Sequence, residues 1–165
     1  MKNLVLIGLP GCGKTTVGQR LAAELGLDFV DCDAEIEKRV GETIPKIFLE
    51  AGEEAFRRWE TEVLADALKK PGKVVSAGGG IILKEENRAA LRRATVVFLD
   101  RTPDNIMSTC NMAGRPLMQT CSLEELAAQR RQLYLACADY IVSAEDIEEI
   151  MAEIVGYWRE GTCAF

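Results

Sequence analysis

Leu4-Val5-Leu6-Ile7-Gly8-Leu9-Pro10-Gly11-Cys12-Gly13-Lys14-Thr15-Thr16 decides the fold. The first four residues are apolar and read as a buried strand. Residues 14–25 read as a helix, with Val17, Leu21 and Leu25 on one face. Between strand and helix, Gly8 to Thr15 fill the pattern G-x-x-x-x-G-K-[ST], in the context that pattern requires. Glycines let consecutive backbone N–H groups converge on phosphate oxygens. The helix N-terminus adds about half a positive charge. Lys14 is placed to reach the β- and γ-phosphates, and the Thr15 hydroxyl to ligate Mg²⁺. The stretch predicts a bound ATP or GTP with Mg²⁺. By itself it does not separate a small-molecule kinase from a GTPase or an ATPase.

Outward from this loop, short apolar runs alternate with helical patterns. Gly26 stands where a helix C-terminal glycine belongs. Phe29 and Val30 form a second strand that ends at Asp31. Residues 34–40 and 45–51 read as short helices and 53–69 as a longer one. Pro71-Gly72 is a turn. Val74 and Val75 begin a third strand that runs into Gly78-Gly79-Gly80. Residues 84–93 read as a helix and Thr95 to Leu99 as a β-branched fourth strand. Pro103 opens another helix, and residues 110–121 show no period. Leu123, Leu126, Leu133, Tyr134 and Cys137 share a helix face before a fifth strand at Tyr140 to Val142. Ser143, with Asp146 three residues on, is the expected cap of a last helix. That helix carries an apolar stripe of Ile147, Ile150, Met151, Ile154, Val155 and Trp158. The alternation predicts one α/β domain, a parallel sheet with helices on both faces and ligands at the carboxyl ends of the strands.

Composition agrees and excludes other classes. The 165 residues are 48% hydrophobic and 28% charged, ordinary for one globular domain. The longest mainly apolar run, Val74 to Leu83, is far short of the roughly 20 residues a membrane span needs. Twenty Lys and Arg against 26 Asp and Glu leave a net charge of −6, which disfavours a nucleic-acid partner. Six cysteines without C-x-x-C spacing, and no histidine, argue against a zinc site and a disulfide framework. The missing histidine also excludes Ser-His-Asp and Cys-His nucleophiles. No Asp-x-x-Gly follows a later strand and no Asn-Lys-x-Asp occurs, so the GTPase reading falls away. The expectation is a cytoplasmic monomer acting on a small molecule, away from membranes and nucleic acid.

Further residues complete a candidate site. Asp31 and Asp33 end the second strand, where residues i and i+2 point the same way in extended chain. One carboxylate could help hold Mg²⁺ and the other could accept a hydroxyl proton. Gly78, Gly79 and Gly80 offer backbone N–H groups for a second ligand. Arg57 lies one helical turn before Glu60, which can orient it. Arg115, followed by Pro116, lies in the loop 110–121, and Arg130 falls near the apolar face of the helix after it. Arginine's planar fork suits a carboxylate or a phosphate.

This ordered set resembles the shikimate kinase family over nearly the whole chain. The resemblance rests on the phosphate loop, Phe29-Val30-Asp31-Cys32-Asp33, Gly52-Glu53 leading to Phe56-Arg57-x-x-Glu60, Gly78-Gly79-Gly80, Arg115-Pro116-Leu117 and Arg130-x-x-x-Tyr134. It implies a nucleoside monophosphate kinase-like P-loop fold with strand order 2-3-1-4-5. It also implies a substrate-binding subdomain at about 32–60 and a lid at about 110–121. The implied activity is transfer of the ATP γ-phosphoryl group to the 3-hydroxyl of shikimate, a step toward chorismate and the aromatic amino acids. In that reading Lys14, Asp33 and Arg115 are catalytic, with Asp33 on the accepting hydroxyl. Gly11, Cys12, Gly13, Lys14, Thr15, Thr16 and Arg115 hold the nucleotide. Asp33, Arg57, Gly78, Gly79, Gly80 and Arg130 hold shikimate. Mg²⁺ is held by Thr15 and, through water, by Asp31 and Ser76. The chain departs from the family at two places: Met107 to Gly114 is uncharged, where a basic residue commonly packs on adenine, and Gln132 stands where the family often has Pro. Two other readings stay open, a related small-molecule kinase with another acceptor and a non-catalytic nucleotide-binding regulatory protein.

Overall fold

The computed structural model describes residues 2–109 and 121–162. Five strands form one sheet in the order β2-β3-β1-β4-β5, all parallel: β1 (Leu4–Ile7), β2 (Asp28–Asp31), β3 (Lys73–Ser76), β4 (Thr95–Leu99) and β5 (Tyr140–Val142). β1 lies at the centre, with Leu4 opposite Val74 on one side and Thr95 on the other. All four β1 residues are buried, so helices cover both faces of the sheet there. The central position of β1 decides where a ligand can sit. The phosphate loop leaves the middle of the sheet, and loops from neighbouring strands flank it.

The helices are α1 (Lys14–Leu25), α2 (Cys32–Val40), α3 (Ile44–Leu68), α4 (Glu85–Leu91), α5 (Pro103–Thr109), α6 (Leu123–Cys137) and α7 (Ile147–Thr162). Gly26 closes α1 in the left-handed region at φ 66°, as its position suggests. α7 packs against α1 through its expected stripe, with Ile150, Met151, Ile154 and Val155 buried. Among the described residues no helix is long and apolar enough to cross a membrane.

Three local readings need correction. α2 begins at Cys32, because the Asp31 carboxylate accepts the Ala34 N–H at 3.0 Å and caps the helix there. Asp33 is therefore a first-turn residue, and the i, i+2 strand geometry does not apply to it. The two helices expected at 45–51 and 53–69 are both present, by contrast, and meet at Gly52, whose backbone (φ 82°, ψ 172°) breaks the helical path. The helix expected at 84–93 spans only Glu85–Leu91, and a 3-10 turn at Ile81–Leu83 precedes it. Asp146, rather than Ser143, caps α7, its Oδ1 accepting the N–H groups of Glu148 and Glu149 at 2.9 and 3.2 Å.

Candidate active site

The phosphate loop is built by local sequence. Gly8, Gly11 and Gly13 all have positive φ, at 148°, 78° and 98°, a region that side chains with a Cβ disfavour. Lys14 is nearly buried and curls back over the loop. Its Nζ donates to the carbonyls of Gly8 and Leu9 at 2.8 and 2.9 Å, with Cys12 Sγ at 3.6 Å. The Cys12 side chain is buried in the core, so only its backbone can face a phosphate. At the mouth of α1 the Thr15 hydroxyl donates to Asp31 Oδ2 at 2.6 Å. The β2–β3 register sets Asp31 beside buried Ser76. Three oxygen donors thus gather next to the loop. Among the described residues no group of three or more His, Cys, Asp and Glu could hold a metal directly.

One cavity of about 420 Å³ joins this loop to the acceptor side. Gly11, Gly13, Lys14, Thr15 and Thr16 line it from the loop. Asp31, Asp33, Arg57, Ser76, Gly78, Gly79, Gly80 and Arg130 line it from β2, α2, α3, the end of β3 and α6. Asp33 reaches the cavity from the first turn of α2, beside the Gly78 backbone, where an added Cβ would lie 2.9 Å from Asp33 Oδ1. All the site residues expected from sequence meet here except two. Cys12 points into the core, and Arg115 lies, with most of the segment expected to form a lid, outside the described residues.

The cations of the acceptor side are held by buried partners. Arg57 Nη1 donates to Glu60 Oε1 at 2.5 Å, as their one-turn spacing predicts, and Glu60 is only 1% exposed. Arg57 Nε and Nη2 also donate to Glu53 Oε1 at 3.3 and 3.0 Å. A guanidinium gripped on two edges keeps its plane. Burial pushes the Glu60 carboxyl above the ordinary glutamate range, and Arg57 beside it pulls it part of the way back. Arg130 is 3% exposed, and its Nη1 meets no hydrogen-bond partner among the described residues. A buried cationic N–H is costly unless something accepts from it, and Arg130 lines the cavity.

The sequence reading missed the apolar wall. Ile44, Pro45, Phe48 and Phe56 line the cavity, with the two phenylalanine rings 4.7 Å apart. Their place in two helical patterns was the available signal, but periodicity within each helix does not show that residues on the two sides of the Gly52 break meet in one wall. It also missed Glu37, whose Oε1 accepts the Ile44 N–H at 2.9 Å and ties α2 to the start of α3, and it quoted Glu53 in a motif without giving it a role.

Comparison with known proteins agrees with this geometry. The shikimate kinase family model matches residues 10–158. A shikimate kinase of Thermobifida fusca is 44% identical over 92% of this chain and 91% of its own. One of Symbiobacterium thermophilum is 40% identical over 96% and 97%. Among solved structures, shikimate kinase from Acinetobacter baumannii in complex with shikimate superposes with a TM-score of 0.92 at 34% identity, covering 98% of this chain and 94% of that one. A gluconokinase from Sinorhizobium meliloti, at 19% identity and a TM-score of 0.52, shares the fold alone.

Proposed function

The chain belongs to the shikimate kinase family, and from that premise we propose how its cavity works. The activity is phosphoryl transfer from ATP to an alcohol group of shikimate. We assign the 3-hydroxyl as the acceptor and Asp33 as the carboxylate that takes its proton. The observation that carries this reading is the single cavity in which Asp33, Arg57 and Arg130 face the phosphate loop.

Phosphoryl transfer asks for alignment and for neutralisation of spreading negative charge, and little else. The Arg57 and Arg130 guanidinium groups, with the backbone of Gly78 to Gly80, hold the acceptor's carboxylate. The wall of Ile44, Pro45, Phe48 and Phe56 packs on its carbon ring. This turns one hydroxyl toward Asp33 and the γ-phosphate. Backbone N–H groups from Gly11 to Thr16 hold the phosphates, and Lys14 moves from its loop carbonyls onto the transferring group. Arg115 adds a second cation there, and the lid around 110–121 excludes water. These last two assignments rest on the family motif. The segment of about 32–60 acts as the acceptor-binding subdomain.

The donor set beside the loop fits Mg²⁺. Thr15, Asp31 and Ser76 offer hard oxygen atoms, and Mg²⁺ keeps several waters rather than filling its shell from protein. When bound, it screens the phosphate charges. Thr15 would hold it directly, and Asp31 and Ser76 through water.

The test is ADP release from Mg·ATP, with and without shikimate, on wild type and Asp33→Asn. The expected result is release that depends on shikimate and falls by about 10²-fold or more in the variant. Shikimate-dependent release that survives in Asp33→Asn would remove Asp33 from its role. Nucleotide binding with no response to shikimate would favour a non-catalytic nucleotide-binding protein or another acceptor.

A further inference from the structure

Tyr134 is buried next to the cavity without lining it. It is the largest fully buried side chain among the described residues. Its ring stacks on Phe98 of β4, with centroids 5.0 Å apart. A buried phenol needs a hydrogen-bond partner, and this one donates to the Gly79 carbonyl at 2.5 Å. Burial pushes its hydroxyl well above the ordinary tyrosine range, and the charge of Arg130 offsets only part of that. At neutral pH the group is therefore a protonated donor.

The consequence comes from peptide geometry. A trans peptide is planar, so its C=O and the following N–H point in opposite directions, and among the described residues no peptide bond is cis. Holding the Gly79 carbonyl on Tyr134 turns the Gly80 N–H the other way. Gly80 lines the cavity and Tyr134 does not. The same tyrosine follows Arg130 by one turn of α6. The Gly80 backbone lies directly against Arg57, since a Cβ there would fall 1.9 Å from Arg57 Nη1.

We propose that Tyr134 is a positioning residue: by pinning the Gly79–Gly80 peptide, it aims the Gly80 N–H between Arg57 and Arg130 at the acceptor's carboxylate. This rests on the reading that the shikimate carboxylate binds there. Tyr134 touches neither substrate. Its effect passes through one peptide plane and one neighbouring arginine.

Tyr134→Phe removes the hydroxyl and keeps the ring. The expected result is a shikimate KM raised about tenfold, the effect of losing one buried hydrogen bond and leaving a carbonyl unpaired. The KM for Mg·ATP and kcat stay within about twofold. Phe98→Leu is the packing control. It lowers Tm by removing the stacked ring but leaves the shikimate KM in place. An unchanged shikimate KM in Tyr134→Phe overturns the proposal. So does a shift in both KM values together, or an equal KM shift in Phe98→Leu, since either would mark general loosening. A measurement on wild type needs no variant to fold: with ¹⁵N-glycine labelling, the Gly80 amide resonance moves on adding shikimate and stays still with Mg·ADP alone. A Gly80 amide indifferent to shikimate also overturns the proposal. Wild type that does not turn over shikimate at all would instead fail the function assigned to the cavity, so the two failures are distinguishable.

Discussion

Two glycine-rich turns face the same cavity, and they need glycine for different reasons. In the phosphate loop Gly8, Gly11 and Gly13 have φ angles that a side chain resists. In the second turn none of Gly78, Gly79 and Gly80 has a positive φ. There the requirement is room. A Cβ on Gly78 would lie 2.6 Å from Glu60 Oε2, one on Gly79 2.9 Å from Pro10, and one on Gly80 1.9 Å from Arg57. The first turn is shaped by its own backbone and the second by side chains that crowd it from elsewhere. A change in the first should damage folding, and a change in the second should damage recognition.

Gly8→Ala should have the largest effect on stability. It combines a φ of 148° with a Cβ 2.8 Å from the Leu99 carbonyl oxygen, a backbone atom of β4 that cannot step aside. The expected loss is about 3 kcal/mol or more, read by urea unfolding. Wild-type stability in this variant would break the comparison.

Gly80→Ala should keep the fold, because alanine accepts its φ of −92° and the clash is with a side chain rather than with backbone: the Arg57 guanidinium must shift against its Glu53 and Glu60 partners. The displaced guanidinium should raise the shikimate KM about tenfold and leave that for Mg·ATP unchanged. Steady-state kinetics over both substrates would show it. An equal rise in both KM values would mean that the two turns are not separable.

The smallest effect lies in the pH profile. Burial raises the Glu60 pKa, so on acidification Glu60 takes a proton before an ordinary glutamate would. Arg57 then loses its buried counter-charge, and the shikimate KM should rise a few-fold (by roughly one hydrogen bond to a charged group at most) on the acid side. Stability runs the opposite way for this group. A raised pKa in the fold favours the folded state below the ordinary glutamate value, and that contribution is lost as pH rises through the raised one. The acid limb should therefore appear in KM without a matching fall in Tm from Glu60. Glu60→Gln should flatten it. A limb that persists in the variant would assign it to another group.

The same contrast explains what could be read from the residues alone. The phosphate loop is contiguous, and its backbone path comes from local glycines. Arg57 and Glu60 were also legible, because one helical turn separates them on a single helix. Asp33 was placed in the site by an argument from extended chain, yet it arrives there on a helix. The Asp31 carboxylate is what decides this, capping α2 one residue earlier than the pattern suggests. The break at Gly52 was legible, but not which residues on its two sides meet as the apolar wall, and nothing in the sequence around Tyr134 announces that its hydroxyl meets Gly79.

Composition, apolar periodicity and one eight-residue motif therefore determined the domain, the order of its elements and the nucleotide loop. These depend on interactions between near neighbours, which sequence spacing encodes directly. Only the tertiary structure decided how Asp33, Arg57, Gly80 and Arg130 share one cavity, which carboxylates are buried against the arginines, and which glycine carbonyl a buried tyrosine holds. Those groups come from α2, α3, the end of β3 and α6. Buried charges have to find partners with which to exchange their lost hydration. That pairing is settled by the packing of distant segments, and no local pattern records it.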